Sequence, residues 1–393
     1  MSEERPARGL TALLTTAMAF SMLQLFLLGA LGPRLVDGLG VSATLLGLTT
    51  TVGFGTAAVL SPLGGRIVDR VGPRHALVAL LALSALALAL IGAAPGPGAL
   101  LAAVALGGVP QALANPATNK AILAAVPPPR RGAVTGTKQS GVQLGAFAAG
   151  LPLASAAGAL GWRGAVWAAA GAATLAAVWA WHMVPPHTAP APTAVPGGPA
   201  VADRRPVAWL AGYSLFLGAG IASVNTYLAL YGAGRLGMGP ALAGALVAVL
   251  GLAGIAGRVG WSRAAVPGRA PWLPGLLAVG AVAAAVLLAL AEHAPPLVWA
   301  GAVAVGGLAV AGNAVSMVLV LQRSAPGRAG QDSALVAAGF FAGFALGPPL
   351  FGLLAARARY GQGWALVAVE FALAGAVALT WALRDRRTRE GAA

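Results

Sequence analysis

Apolar runs of about 20 residues recur along the whole chain, and each is about the length a helix needs to cross roughly 30 Å of hydrocarbon. Lipid offers backbone N–H and C=O groups no partner, so only helices or closed barrels can span it. The two-residue alternation of barrel strands is missing, which leaves helices. The expected fold class is therefore an all-α polytopic membrane protein. Composition agrees where it matters: 58% of the 393 residues are hydrophobic and 9% are charged, too little polar surface to coat a soluble chain of this length.

Charges, prolines and glycines punctuate the runs and predict twelve helices, at 10–32, 43–65, 75–93, 98–123, 133–157, 162–184, 207–231, 240–261, 273–291, 297–321, 333–356 and 363–383. An even number puts both ends of the chain on one side. With that side cytoplasmic, 18 arginines, including Arg66, Arg70, Arg74, Arg258 and Arg263, fall inside and five, Arg34, Arg163, Arg235, Arg357 and Arg359, fall outside. This asymmetry follows the positive-inside rule. The run from Leu10 to Leu31 is too long for a cleaved signal and reads as the first retained span. The expected location is thus the plasma (inner) membrane, multi-pass, with both termini cytoplasmic and lipids as neighbours.

The net charge of +15 comes from single basic residues scattered between apolar runs, which argues against a nucleic-acid partner. There are no cysteines, so thiolate metal sites and cysteine catalysis are excluded. His75, His182, His187 and His293 fall in loops without a metal-ligand pattern, no acid pair is buried, and no G-x-x-x-x-G-K-[ST] loop is present. No cofactor, no metal and no enzymatic activity are expected.

Residues 185–206, rich in Pro and Ala and without helical periodicity, read as a solvated linker between two six-helix halves, 1–184 and 207–393. The halves look like copies. Asn115 and Asn313 are 198 positions apart, Gly141 and Gly145 match Gly339 and Gly343 at the same offset, Gly161-Trp162 matches Gly363-Trp364, and GRIVDR at 65–70 resembles GRVGWSR at 257–263. Matches in order at nearly one spacing are the mark of an internal repeat.

The first copy of that loop reads Gly65, Asp69, Arg70, Gly72, Arg74. Together with two six-helix halves and an inner central loop, this Gly-x-x-x-Asp-Arg-x-Gly-x-Arg pattern resembles the major facilitator superfamily of secondary transporters. RRGAVTGTKQSGVQLGAF (130–147) and GFFAGFALGPPLFG (339–352) are similar to bacterial members near the cyanate and organic-anion groups. The resemblance implies a carboxylate latch, Asp69 facing the amino terminus of the eleventh helix near Asp332 and Ser333, where the helix dipole is positive. It departs in two places: Val104 stands where many proton-coupled exporters carry a helix 4 arginine, and Trp261 replaces the latch acid in the second copy. An asymmetric gate is therefore expected. The alternative for the loop arginines is that they fix topology and bind lipid phosphates.

Polar residues inside spans are costly in hydrocarbon and mark a cavity or a partner. In the fifth helix these are Lys138, Gln139, Ser140 and Gln143; in the fourth and tenth, Gln111, Asn115 and Asn313; in the first, Gln24; in the seventh, Asn225, Tyr227 and Tyr231. Gln24, Asn115, Lys138, Gln139, Gln143, Asn225, Tyr227 and Asn313 are the candidate substrate-binding set. Lys138 has a competing reading as a lysine snorkelling to headgroups, Tyr231 as an interfacial belt residue, and the asparagines as glue between helices. Glu370, the one acid well inside a span, is the candidate coupling residue. Gly141, Gly145, Gly339, Gly343 and Gly347 are spaced for close helix packing, and Pro348 with Pro349 offers a bend in helix 11.

These features point to a secondary active transporter for a small solute, an organic anion or a neutral molecule, driven by a proton or a counter-solute and acting as a monomer. Cationic Lys138 and Arg258 near the inner half and scarce buried acid disfavour an organic cation. Drug efflux is the alternative within transport, disfavoured by a 6% aromatic content. A non-transporting receptor or scaffold is the alternative outside it.

Overall fold

The computed structural model describes residues 4–31, 35, 39, 43–184, 205–266, 268–324, 328–355 and 357–390. The expected linker, Arg204 and Arg34 lie outside them, apart from the linker's last two residues. Helices make up nearly all of what is described. They are α1, Glu4–Ala30; α2, 43–71, and α3, 73–93, one helical stretch Ala43–Ala93 broken at Gly72; α4, Pro97–Ala125; α5, Pro128–Ala148 with a π-helical turn Ala149–Leu153, continuing to 160; α6, 162–183, separated from α5 at Gly161; α7, Arg205–Gly234; α8, Pro240–Ala264; α9, Leu273–Leu290; α10, Leu297–Ala304, a π-helical segment Val305–Val310 and Ala311–Arg323; α11, Ala329–Ala355; and α12, Tyr360–Glu390. The two breaks require glycine: Gly72 sits at φ 81° and Gly161 at φ 69°, a region where a side chain is strained.

Nine stretches among the described residues are long and apolar enough to cross a membrane, and one of them, Leu48–Ala93, has 46 residues, enough for two spans. The arrangement is consistent with twelve crossings. α5 does not qualify on apolarity because it carries Thr135, Thr137, Lys138, Gln139, Ser140 and Gln143 in mid-helix. Several helices overrun their expected ends: α11 starts at Ala329 instead of 333 and α12 ends at Glu390 instead of 383. Charge stops a hydrophobic run without stopping a helix. Arg323 donates to Asp385 at 2.8 and 2.9 Å beyond the apolar stretch of α12. Pro348 and Pro349 do not interrupt α11, which runs on to Ala355.

Contacts between helix ends fix the topology. At one face, Gly9 of α1 abuts Met183 of α6, Arg74 at the start of α3 donates to the Trp181 carbonyl at 2.8 Å with its guanidinium 4.3 Å above that indole, and Arg384 of α12 lies 5.3 Å above Trp209 of α7. We term this the terminal face. At the opposite face, Arg163 of α6 donates to the Gly92 and Ala94 carbonyls that end α3, at 2.6 and 2.9 Å, and the Tyr231 hydroxyl donates to the Leu288 carbonyl of α9 at 3.0 Å.

Two glycine ladders tie neighbouring helices together. A methyl group on Gly141 or Gly145 of α5 would strike the carbonyls of Thr15 or Ala19 on α1, and one on Gly339, Gly343 or Gly347 of α11 would strike those of Ala211, Leu215 or Ala219 on α7. Four-residue glycine spacing on one helix meets four-residue carbonyl spacing on the other, the close approach that small residues permit inside a bilayer.

Candidate functional site

A cavity lies where the first six helices meet the last six. Its walls come from α1 (Met18, Ser21, Met22, Phe26), α4 (Asn115), α5 (Gln139, Val142, Gln143), α7 (Ile221, Asn225), α8 (Arg258), α10 (Asn313) and α11 (Phe340, Phe341, Phe344). Five residues read from the sequence as substrate-binding candidates, Asn115, Gln139, Gln143, Asn225 and Asn313, thus converge from four helices onto one space. The volume is small in this conformation, about 20 Å³, room for a single water. A solute can be held here only if helices move.

Behind the wall runs a directed hydrogen-bond chain. Arg258, 2% exposed, donates to the Gln139 carbonyl at 2.9 Å and to Gln139 Oε1 at 3.4 Å. Gln139 Nε2 donates to Asn115 Oδ1 at 2.9 Å. Lys138, fully buried, donates to Asn115 Oδ1 at 3.3 Å and to Thr118 Oγ1 at 2.6 Å. The Thr118 hydroxyl is turned to the Ala114 carbonyl, to which it donates at 2.6 Å. No carboxylate is paired with Lys138 or Arg258 among the described residues.

These positions correct two expectations. Lys138 does not snorkel to headgroups, since its amine is bound inward by Asn115 and Thr118; nor does it line the cavity, from which Asn115 and Gln139 separate it. Arg258, expected within the eighth helix near the inner half, lies in α8, which continues to Ala264, and its side chain turns into the bundle. Its counterpart Arg66 is exposed, as is Arg70.

The terminal end of the cavity is sealed by contacts between the first and last six helices. Gly65 of α2 meets α11 so closely that a Cβ would lie 2.7 Å from the Ala334 Cβ and the Gly330 carbonyl and 2.9 Å from the Gln331 Cα. The Asp69 carboxylate packs on Gly330 and accepts from the Gln331 backbone N–H in the first turn of α11. Lys120 of α4 lies 3.4 Å from that carboxylate and donates to the Val68 and Asp69 carbonyls at 3.1 and 2.8 Å, capping the end of α2. Asn119 Nδ2 donates to Ser333 Oγ at 2.8 Å. On the other side of the cavity Gly136 of α5 meets the Arg258 carbonyl and Ser262 of α8. The α2–α11 and α5–α8 approaches pair corresponding helices of the repeat, but not the same glycines: Gly257, 192 positions after Gly65, packs on Gly307 of α10 instead. Trp261, at the place of the latch acid, is 36% exposed.

Other candidates fall elsewhere. Tyr227 faces away from the cavity: its hydroxyl donates to the Pro348 carbonyl at 3.1 Å and its ring stacks on Phe351 at 4.6 Å. Tyr231 is buried against Trp364 and Tyr360 and is not a lipid-facing belt residue. Gln24 is buried against Gly107 of α4, outside the cavity wall. Glu370 is buried on α12, whose neighbours are α7 and α9, and does not reach the cavity. Sequence reading placed Ser333 at the start of the eleventh helix but missed its partner Asn119, six positions before the end of α4, and the Lys120 partnership. It also missed the α11 phenylalanines, which an apolar helix hides among equals.

A bundle of membrane-spanning helices around a polar central cavity, closed at one end, defines a multi-pass membrane transporter of small solutes. The family model for the Major Facilitator Superfamily matches residues 13–331, and the chain belongs to that superfamily. Among solved structures, the crystal structure of the human organic anion transporter MFSD10 (TETRAN) resembles it with a TM-score of 0.74 at 17% identity, covering 96% of this chain and 100% of that one, a likeness of fold. No curated protein matches the chain.

Proposed function

We propose that the protein is a secondary active transporter that moves a small organic anion or neutral solute by alternating access, driven by a proton or counter-solute gradient. The two six-helix halves, 1–184 and 207–393, rock about the cavity, and the linker 185–206 joins them. The observation that carries this reading is the cavity itself: five neutral amides and one guanidinium from opposite groups of helices meet at a space sealed on the terminal side by contacts between those same groups. The arginine-rich terminal face is cytoplasmic on this reading, which leaves the seal as an inner gate with Asp69 and Lys120 as its latch. Glu370, set apart from the cavity, is the candidate proton carrier.

The test is flux in proteoliposomes holding the purified protein, with labelled small organic anions, sugars, amino acids and a cationic dye supplied under imposed proton gradients. Uptake of an anion or neutral solute that collapses with the gradient supports the proposal. Electrogenic exchange of the dye alone, with no anion or neutral flux, overturns it. A second reading, drug efflux, has one observation in its favour: Phe26, Phe340, Phe341, Phe344, Met18 and Met22 give the cavity a more apolar and aromatic wall than overall composition implied.

A further inference from the structure

Both ends of the buried hydrogen-bond chain are groups that can only donate. Arginine has five N–H donors and no acceptor, and a charged lysine has three donors and none. Arg258 therefore compels Gln139 to turn Oε1 toward it, which leaves Gln139 Nε2 to donate to Asn115. Lys138 donates to the same Asn115 oxygen. With Oδ1 held from two sides, the Asn115 amide must direct its Nδ2 protons away from the chain, and Asn115 is a wall residue of the cavity. The second wall donor is Arg258 itself, whose buried Nε has no protein partner. On the side of Arg258 and Asn115 the wall thus presents donors, with no described acid paired with Arg258, while Asn313 Oδ1, without a partner among the described residues, offers one acceptor elsewhere in the wall. The donor side is complementary to a ligand group that only accepts and is negative.

We infer that the cavity binds the carboxylate of a small organic anion against Arg258 and the Asn115 amide, with its apolar body toward Phe340, Phe341 and Phe344, and that Lys138 is the positioning residue that fixes the Asn115 amide. This rests on the transport reading and goes beyond it: it names the recognised group and assigns a role to a lysine the ligand does not touch. Lys138 acts through Asn115, supplying a second donor to its oxygen. Removing it frees the amide to rotate, so the site should lose its preference for an acceptor before it loses its shape.

The experiment uses the full-length purified protein and three matched pairs of probes: acetate and acetamide, butyrate and butyramide, benzoate and benzamide. Thermal shift gives binding and proteoliposome flux gives transport. At least one carboxylate is expected to bind tenfold or more tightly than its amide, as losing a charge-assisted bond costs about tenfold or more. Arg258→Gln should abolish that preference, while Arg258→Lys, which keeps charge and donors, guards against a folding defect by retaining a weakened one. Lys138→Met should reduce the carboxylate-to-amide ratio about tenfold and leave amide binding unchanged; Lys138→Arg, still donor-only, should restore the ratio. No carboxylate preference in the native protein, or a ratio unaltered by Lys138→Met, overturns the inference. Equal flux of amides and carboxylates would overturn it while leaving the transport reading intact; selective carboxylate binding without flux would do the reverse.

Discussion

Replacing Gly65 by alanine tests the seal at its tightest point. The new methyl carbon would sit 2.7 Å from the Ala334 Cβ and the Gly330 carbonyl oxygen and 2.9 Å from the Gln331 Cα. Carbon contacts are comfortable at about 3.5–4.0 Å, so α2 and α11 must part by about 1 Å, and the obstructing atoms are backbone and a Cβ that cannot swing aside. Overpacking of this kind costs about 1–3 kcal/mol. On the alternating-access proposal the cost falls only on the conformation in which the terminal end is closed, so the closed-to-open ratio should drop about 5- to 150-fold. Because the chain has no cysteine, a single Gln143→Cys reporter in the cavity wall can be labelled with a membrane-impermeant maleimide supplied from the terminal side. Gly65→Ala should accelerate labelling by at least fivefold. Gly260→Ala is the control, since a methyl there meets nothing within 4 Å on the nearby α8. Equal labelling rates in the two variants would refute the view that Gly65 sets how tightly the terminal end closes.

Three further outcomes are expected. Lys120→Met removes one partly exposed ion pair to Asp69 and two bonds to the carbonyls ending α2, all within the first six helices, which together hold the Asp69 end of α2 by about 1–2 kcal/mol; on the latch proposal a displaced Asp69 should give faster modification in the same labelling assay, and a normal rate would count against the latch. Gly343→Ala drives a methyl into the Leu215 carbonyl, with the Ala219 nitrogen 2.7 Å away, so melting temperature in detergent should fall by several degrees, whereas Gly361→Ala, open within 4 Å, should not move it. Arg163→Ala frees two carbonyls at the end of α3 and should lower the melting temperature without changing labelling from the terminal side, because it lies at the opposite face.

The spans were legible because hydropathy over 20 residues reports the solvent of a helix directly. α5 was legible for the opposite reason: Lys138, Gln139 and Gln143 break an apolar context, and their cost in lipid demanded a polar interior. The facing of each residue was less accessible. Asn225 and Tyr227 are two positions apart on α7 and point to different places, and Arg66 and Arg258 occupy matching positions of the repeat yet end in solvent and in the cavity. Facing depends on which neighbour fills the other side of the helix, and the period of a nearly all-apolar helix carries no phase to give it. Asn119 is the clearest case: four residues from Asn115 on one helix, it bonds Ser333 across the bundle, and only the packing of α4 on α11 decides that.

On the alternating-access proposal, contacts within each group of six helices must outlast those between the groups. Within the first six helices Gly141 and Gly145 hold α5 on α1, and within the last six Gly339, Gly343 and Gly347 hold α11 on α7, each ladder extending over at least one turn of backbone-to-backbone approach. Separating those would sacrifice dispersion contacts along whole helices. Between the two groups, α2 packs on α11 at Gly65 and α5 on α8 at Gly136, Phe54 meets Phe341 and Phe344, and a few hydrogen bonds add to this, from Asn119 to Ser333, from Arg258 to Gln139 and from Gln331 to Asp69. Hydrogen bonds contribute about 0.5–1.5 kcal/mol each, more where a charged group takes part, so the polar part of this contact amounts to a few kcal/mol. Arg258 belongs to both sets of interactions, as a wall donor of the cavity and as a tie to α5. On the alternating-access proposal, a solute that draws its guanidinium from Gln139 would remove one of the ties between α5 and α8 as it binds, leaving the Gly136 approach to α8 as the remainder of that contact.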